Sequence, residues 1–339
     1  MNSFGRLFRI SIFGESHGEC VGINIDGCPA GLPLLLEDFA VDTERRKGGT
    51  QKGTTPRKED DLPIFKSGVF NNTTTGAPIT ILFENNNTRS GDYEKQRAIP
   101  RPGHADFVAH KKYGGFEDFR GGGHFSGRLT VCLVAAGVVA KKLVAAIHNS
   151  DPDNLIEIKA AVTEIGGEAD LEKGLQNAID AKDSVGGIVE CRVTGLPIGL
   201  GEPFFDSMES LISHAVFSIP AVRGIEFGTG FKSAKMFGSD HNDILENSLG
   251  QTASNHAGGI VGGISNGNEI VFRIAIKPTS STPKQQQSFN WETGTVESFS
   301  IKGRHDLCIA LRVPVVLEAV TASVLADLFL LEQHLKRIL

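Results

Sequence analysis

Three common ligand-binding signatures are missing from this 339-residue chain. It has no Gly-x-Gly-x-x-Gly dinucleotide turn, no Gly-Lys-Ser/Thr phosphate loop and no His-Glu-x-x-His zinc helix. Any ligand must be held by other means. Cysteine is sparse and unpatterned: Cys20, Cys28, Cys132, Cys191 and Cys308 form no Cys-x-x-Cys pair and no zinc spacing, so no metal site is expected. The opening MNSFGRLFRISIFGESHG carries no apolar stretch of signal-peptide length. The most apolar long segment, Leu129 to Ile147, is interrupted by Lys141-Lys142 and is short for a membrane span. A cytoplasmic location away from membranes is the expectation.

Net positive charge is lacking too. The formal charge is −6, which argues against the broad basic face of a nucleic-acid-binding protein. Locally the balance reverses, because Arg45, Arg46, Lys47, Lys52, Arg57 and Lys58 fall within fourteen residues. A small anionic ligand suits that contrast better than a polymer. Glycine is abundant: 40 residues, about 12% of the chain against roughly 7% in average usage. The glycines cluster at 121–123, 258–259 and 262–263, as suits tight turns or close approach to a ligand.

The composition, 40% hydrophobic and 22% charged, is that of a globular protein with a full core. No linker-like stretch divides it, and one domain spanning 1–339 is expected. Residues 6–28 read as strand, loop, strand, and 78–84, 188–194 and 270–276 as further strands. Leu129 to Ile147 predicts a buried helix, Leu171 to Ala181 an amphipathic one, and Glu318 to Leu339 a C-terminal one. The basic segment 44–61 reads as a mobile loop able to close as a lid. Without a steady β-α-β rhythm, the class is α+β or a layered αβ arrangement.

Five segments carry candidate chemistry. Gly14-Glu15-Ser16-His17-Gly18 places a titratable imidazole on a loop between strands, although a solvent-facing histidine in a glycine turn looks the same. Arg101-Pro102-Gly103-His104-Ala105-Asp106 flanks a turn with charge, and His104 with Asp106 or His110 could form a partial metal site, for which such loose spacing is weak evidence. Arg120-Gly121-Gly122-Gly123-His124-Phe125-Ser126-Gly127-Arg128 runs into a helix start, either to cradle an anion or to permit close packing. Lys277-Pro278-Thr279-Ser280-Ser281 offers hydroxyls and an ammonium to a phosphate or a polar ring edge. In Gly303-Arg304-His305-Asp306, an extended backbone would turn Arg304 and Asp306 to one face and His305 to the other.

Together with the NHAGGIVGGIS run at 255–265, these motifs resemble the chorismate synthase family over nearly the whole chain. The resemblance implies a β-α-β sandwich with helices between antiparallel sheets, and a homotetramer. It implies elimination of phosphate from 5-enolpyruvylshikimate 3-phosphate by an enzyme that needs reduced FMN without net redox change, with NADPH a candidate reductant. Carried over position by position, His17 would be the general acid at the leaving phosphate. His104 would protonate the reduced flavin, and Asp306 would assist its N5 as base. The flavin cradle would comprise His124, Phe125, Ser126, Pro220, Ala221, Gly262, Lys277, Pro278, Thr279, Ser280, Ser281 and Arg304. Arg46, Lys52, Arg101 and Arg128 would serve the substrate and NADPH region.

The chain departs from the family pattern at two places. Many members have Arg-Ser-Ser where His124-Phe125-Ser126 stands, and Asn where Pro220 stands; Pro220 has no N–H to donate. Two other classes compete with this lyase. A flavin or nucleotide-phosphate binding protein without catalysis would not need His17 or Asp306, and a flavin oxidoreductase would consume NADPH in step with product.

Overall fold

The computed structural model describes residues 2–49, 52–55, 59–86, 97–148, 155–301 and 305–334. The strands in chain order are β1 (Ser3–Phe4), β2 (Arg9–Gly14), β3 (Cys20–Asp26), β4 (Ile64–Ser67), β5 (Val69–Phe70), β6 (Thr73–Thr74), β7 (Ile79–Glu84), β8 (Glu157–Ile165), β9 (Gly187–Thr194), β10 (Val222–Phe227), β11 (Ile260–Val261), β12 (Ile264–Ser265), β13 (Ile270–Ile276), β14 (Gln286–Asn290) and β15 (Thr295–Phe299). The helices are α1 (Ala40–Arg46), α2 (Asp106–Tyr113), α3 (Thr130–His148), α4 (Leu171–Ala181), α5 (Met208–Val216), α6 (Gly238–His241) and α7 (Val313–His334).

Two antiparallel sheets enclose the long helices. One has the order β1-β2-β3-β7-β4, the other β10-β13-β9-β8. In the first, Val21, Ile23 and Ile25 pair with Phe83, Ile81 and Ile79, and all six are fully buried. In the second, Phe272 and Ile274 pair with Cys191 and Val189 on the inward face. The period-two alternation of both sets turns one face of each sheet inward. Between them lie α3, against β2, β3 and β7, and α7, against β8 and β9. This is the expected sandwich.

Both central helices are long and apolar enough to cross a membrane, yet 67% and 94% of their most apolar windows are buried inside the protein. Their all-round apolarity is that of a middle layer with neighbours on every side. Helix α7 begins at Val313, five residues before the expected start, because Pro314 is tolerated in a first turn where backbone N–H groups lack intrahelical partners. Positions 335–339 of the expected helix lie outside the described residues.

The apolar layer holds two deliberately placed carboxylates. Buried Asp327 accepts hydrogen bonds from the N–H groups of Arg6, Leu7 and Phe8, fixing the entry into β2. Buried Glu318 takes a bidentate pair from Arg45 at 2.7 Å, a bond from Lys141 at 3.3 Å and one from the Ala160 N–H at 2.9 Å. One side chain thereby ties α1, α3 and β8 to α7. Arg45 therefore faces the helix layer, away from any ligand, contrary to its membership of the basic cluster.

The two central helices touch closely at Gly137, where an added Cβ would lie 2.3 Å from the Ala319 Cβ and 2.4 Å from its Cα. Gly137→Ala pits a helix-propensity gain of about 1 kcal/mol against overpacking worth about 1–3 kcal/mol. The neighbouring atom is backbone, so overpacking wins. Urea unfolding is expected to show a lower midpoint than the parent; a variant as stable or more stable would mean that the helices separate freely.

Candidate active site

Loops and the adjoining parts of β1, β2, α3, α5 and α7 surround a cavity of about 890 Å³. His17, Arg46, Arg101, His104, His124, Phe125, Ser126, Arg128, Pro220, Ala221, Lys277, Thr279, Ser280, Ser281 and Asp306 line it. Three expected residues do not. Lys52 is exposed and bonds the Gln176 side chain at 2.9 Å, Pro278 packs beside Gly186, and Gly262 sits in the β11–β12 turn. Arg304, Arg57 and Lys58 lie outside the described residues.

The separate motifs are joined by specific contacts. The Ser16 N–H donates to the Gly123 carbonyl at 3.1 Å, and His124 Nδ1 donates to the Gly14 carbonyl at 2.8 Å. These bonds lock the His17 loop to the triple glycine. Ser280 Oγ donates to the Gly103 carbonyl at 2.7 Å, and Lys277 Nζ to the same oxygen at 3.1 Å, clipping the Lys277–Ser281 turn to the His104 turn. The glycines have a steric role beyond the two readings weighed from the sequence. A Cβ on Gly121 would lie 2.1 Å from His17 Cε1 and Nδ1, and one on Gly122 would lie 3.2 Å from His104 Cε1. At φ of 60° and 85° both residues also occupy left-handed backbone. Consecutive bare positions let two imidazoles approach. Arg120 pairs with Asp118 and contributes no charge to the cavity wall.

Among the described residues, six cations (Arg46, Lys47, Arg101, Arg128, Lys277 and Arg312) and three carboxylates (Glu59, Asp61 and Asp306) line the cavity. The wall is therefore cationic within an acidic chain. Asp61, buried with φ of 51°, receives Arg46 at 2.5 Å and also pairs with Arg128. Burial alone would raise its pKa, but the two guanidiniums hold it below the ordinary carboxylate value. Nothing in the sequence around Asp61 marks it, since its partners come from α1 and the α3 approach. Arg312 also escaped notice; it donates to Asp306 Oδ2 at 3.0 Å, while the Thr55 N–H donates to Oδ1 at 2.8 Å. Those contacts, with the Leu307 and Cys308 N–H groups bonded to the Gly53 carbonyl, pin the described part of the expected lid.

His104 Nδ1 lies 2.6 Å from Asp106 Oδ1, and Arg101 grips the same carboxylate through Nε at 2.7 Å and a terminal nitrogen at 2.8 Å. Nδ1 must be the donor to a carboxylate, so the neutral ring keeps its lone pair on Nε2. Burial opposes ionisation of Asp106, but the Arg101 and His104 hydrogen bonds push its pKa well below the ordinary range. His305, given no role at the outset, also lines the cavity. The extended-strand alternation would have turned it away from Asp306, yet both face this space.

A family model described as chorismate synthase matches residues 8–330, a span that holds every candidate site residue. A chorismate synthase of Chitinophaga pinensis is 69% identical over 338 residues, covering 100% of this chain and 99% of the relative. One of Dehalococcoides mccartyi is 44% identical over 351 residues, covering 97% and 96%. A solved structure described as "Crystal Structure of Chorismate Synthase" superposes with a TM-score of 0.70 at 28% identity, covering 97% of this chain and 93% of that one.

The depressed Asp106 pKa has a consequence for stability. An aspartate whose native pKa lies below its unfolded value, 3.8, stabilises the fold fully above that value and loses the contribution as pH falls through the native one. Urea unfolding from pH 5 to pH 2 is expected to show a shallower loss of stability in Asp106→Asn than in the parent. Equal slopes would remove Asp106 from the acid response.

Proposed function

Because the chain belongs to the chorismate synthase family, we propose that its cavity performs the anti 1,4-elimination of phosphate from 5-enolpyruvylshikimate 3-phosphate, giving chorismate within the shikimate pathway. The observation that carries this reading is that His17, His104 and Asp306 line one cavity whose wall is cationic. The substrate bears two carboxylates and a phosphate. Removing such charge from water is prohibitive unless cations meet it, and planar guanidiniums match carboxylate and phosphate oxygens two at a time. Arg46, Arg128 and Arg312 are already desolvated or nearly so, and Asp61 and Asp306 hold them in place.

Reduced FMN, when bound, lends electron density to the substrate and recovers it, so that no net oxidation or reduction occurs. The residues present fit that group. The volume is near the upper end of the roughly 300–1,000 Å³ of small-ligand sites, leaving room for substrate beside flavin. Thr279 lines the cavity, and its buried hydroxyl has no hydrogen-bond partner among the described residues. The Lys277–Ser281 turn, the His124–Ser126 segment and the Pro220-Ala221 pair would hold the flavin. Ala221, at φ of 74°, is strained backbone of the kind that ligand sites retain.

His17, buried against Gly121, would deliver its proton to the departing phosphate. His104, its tautomer set by Asp106, would exchange a proton through Nε2. Asp306, with one oxygen on the Thr55 N–H and the other on Arg312, would be held fixed beside the site of C–H cleavage. The proposal further takes 1–339 as one domain, located in the cytoplasm and assembled as a homotetramer. The exposed rings of Phe204, Phe205, Phe231 and Phe237, each at least 80% accessible, support burial against other copies. NADPH as reductant of the flavin completes the reading, served by the cations at the Arg46 end.

Anaerobic incubation with 5-enolpyruvylshikimate 3-phosphate and chemically reduced FMN is expected to release chorismate and phosphate in equal amounts; release of neither would refute the function. His17→Ala and His104→Ala are each expected to lower turnover by ~10²-fold or more, the usual scale for losing a general acid or base. Parent-like rates in either variant would cancel the role given to that imidazole.

A further inference from the structure

The reaction as proposed gives His305 no task, although its ring lines the cavity and senses the charges of Arg101, His104 and Asp306. Among the described residues it has no hydrogen-bond partner, and Nε2 is the ring nitrogen that is fully buried. His305 is only half-buried and lines the cavity, and with Nε2 enclosed, Nδ1 is the ring nitrogen left to meet a ligand there. Burial, Arg101 and His104 all push the pKa of this imidazole below its ordinary value, with Asp306 opposing them, so the ring is neutral near pH 7.

The position of its single proton follows from desolvation. A buried N–H without an acceptor is more costly than a buried lone pair. The proton therefore resides on Nδ1, directed to the open side. The surrounding cations already answer ligand charge, so a neutral donor adds recognition of an uncharged oxygen.

We propose that His305 offers Nδ1–H to the cavity as a neutral hydrogen-bond donor, and that the group it meets is a carbonyl oxygen of the flavin ring. The assignment to flavin rests on the function proposed above and on the neighbours of His305: by the family resemblance, His104 would protonate the reduced flavin and Asp306 would assist its N5. His305 is thus a ligand-binding residue that orients the ring between them.

The test uses the full chain and oxidised FMN, titrated by flavin absorbance and fluorescence. His305→Ala and His305→Phe are expected to weaken FMN binding about tenfold or more, the scale of one lost buried hydrogen bond. His305→Asn, whose side-chain amide nitrogen overlays Nδ1, is expected to stay within about threefold of the parent. In parent protein with 15N-labelled histidine, the His305 resonances, assigned by their loss in His305→Asn, should report a neutral ring protonated at Nδ1 that shifts when FMN is added. Unchanged FMN affinity in both the Ala and Phe variants would overturn the proposal, as would an imidazolium or an Nε2-protonated ring in the parent. Should a variant fail to fold, the parent spectrum still decides. A loss confined to 5-enolpyruvylshikimate 3-phosphate, titrated alone, would move the acceptor to the substrate and overturn the flavin assignment. Parent protein that binds no FMN would count against the function itself, whereas tight parent binding with an indifferent His305→Ala counts against His305 alone.

Discussion

The site depends on keeping several guanidiniums desolvated in an acidic protein before any ligand arrives. Asp61 is the clearest instance. Its side chain is inaccessible and lies between Arg46 and Arg128, whose own side chains are 3% accessible. A lone buried guanidinium would demand water or a counter-ion, and breaking such a pair typically costs several kcal/mol. One carboxylate for two arginines leaves positive charge uncompensated. That residue of charge is what an anionic ligand meets. Full neutralisation would have made the cavity more comfortable when empty and weaker as a receptor.

A second constraint is steric. Two imidazoles must reach the same cavity from segments separated by more than eighty residues, and the space through which they do so is created by deletion. Gly121 and Gly122 lack the side chains that would collide with His17 and His104. The bond from the Ser16 N–H to the Gly123 carbonyl then fixes the separation. Positive φ and absent Cβ act together here, so no other residue type satisfies both. The rigidity comes from further down: α3, which starts just beyond this turn, is clamped between the first sheet and α7, and Asp327 anchors the entry into β2. Packing in the middle layer thus determines atomic positions at its rim.

This division explains what was legible in the sequence. Strand alternation and the apolar helices reflect local periodicity, and the Leu171–Ala181 helix and the Ile270–Ile276 strand appear with those limits. The motif resemblance led to His17, His104 and Asp306, which the cavity gathers. Charge alone misled. Arg45 and Arg46 are neighbours in sequence, but successive helix positions point about a hundred degrees apart, so one meets Glu318 in the core and the other meets Asp61 in the cavity. Lys52, equally basic, bonds Gln176. Asp61 and Arg312 were invisible because their significance lies in partners distant along the chain, and composition carries no record of those.

The histidines around the cavity show how one side-chain type is divided among tasks. His104 donates Nδ1–H to a carboxylate that Arg101 also grips, so the ring is oriented while Asp106 balances charge. His124 donates Nδ1–H to the Gly14 carbonyl, which spends its proton on structure. Among the described residues His305 has neither partner, and its burial beside Arg101 favours the uncharged ring. Imidazole pKa and tautomer follow from whichever group faces the second nitrogen. A carboxylate, a carbonyl and an absence therefore yield an oriented proton carrier, a brace and a neutral donor. Sequence proximity accounts for only part of that sorting: His104 meets Asp106 and Arg101 of its own segment, whereas His305 adjoins Asp306 in the chain, yet its charge state follows more from Arg101, two hundred residues earlier. The chemistry of each ring is set by its partners, which for His104 lie in its own motif and for His124 and His305 are provided by the fold.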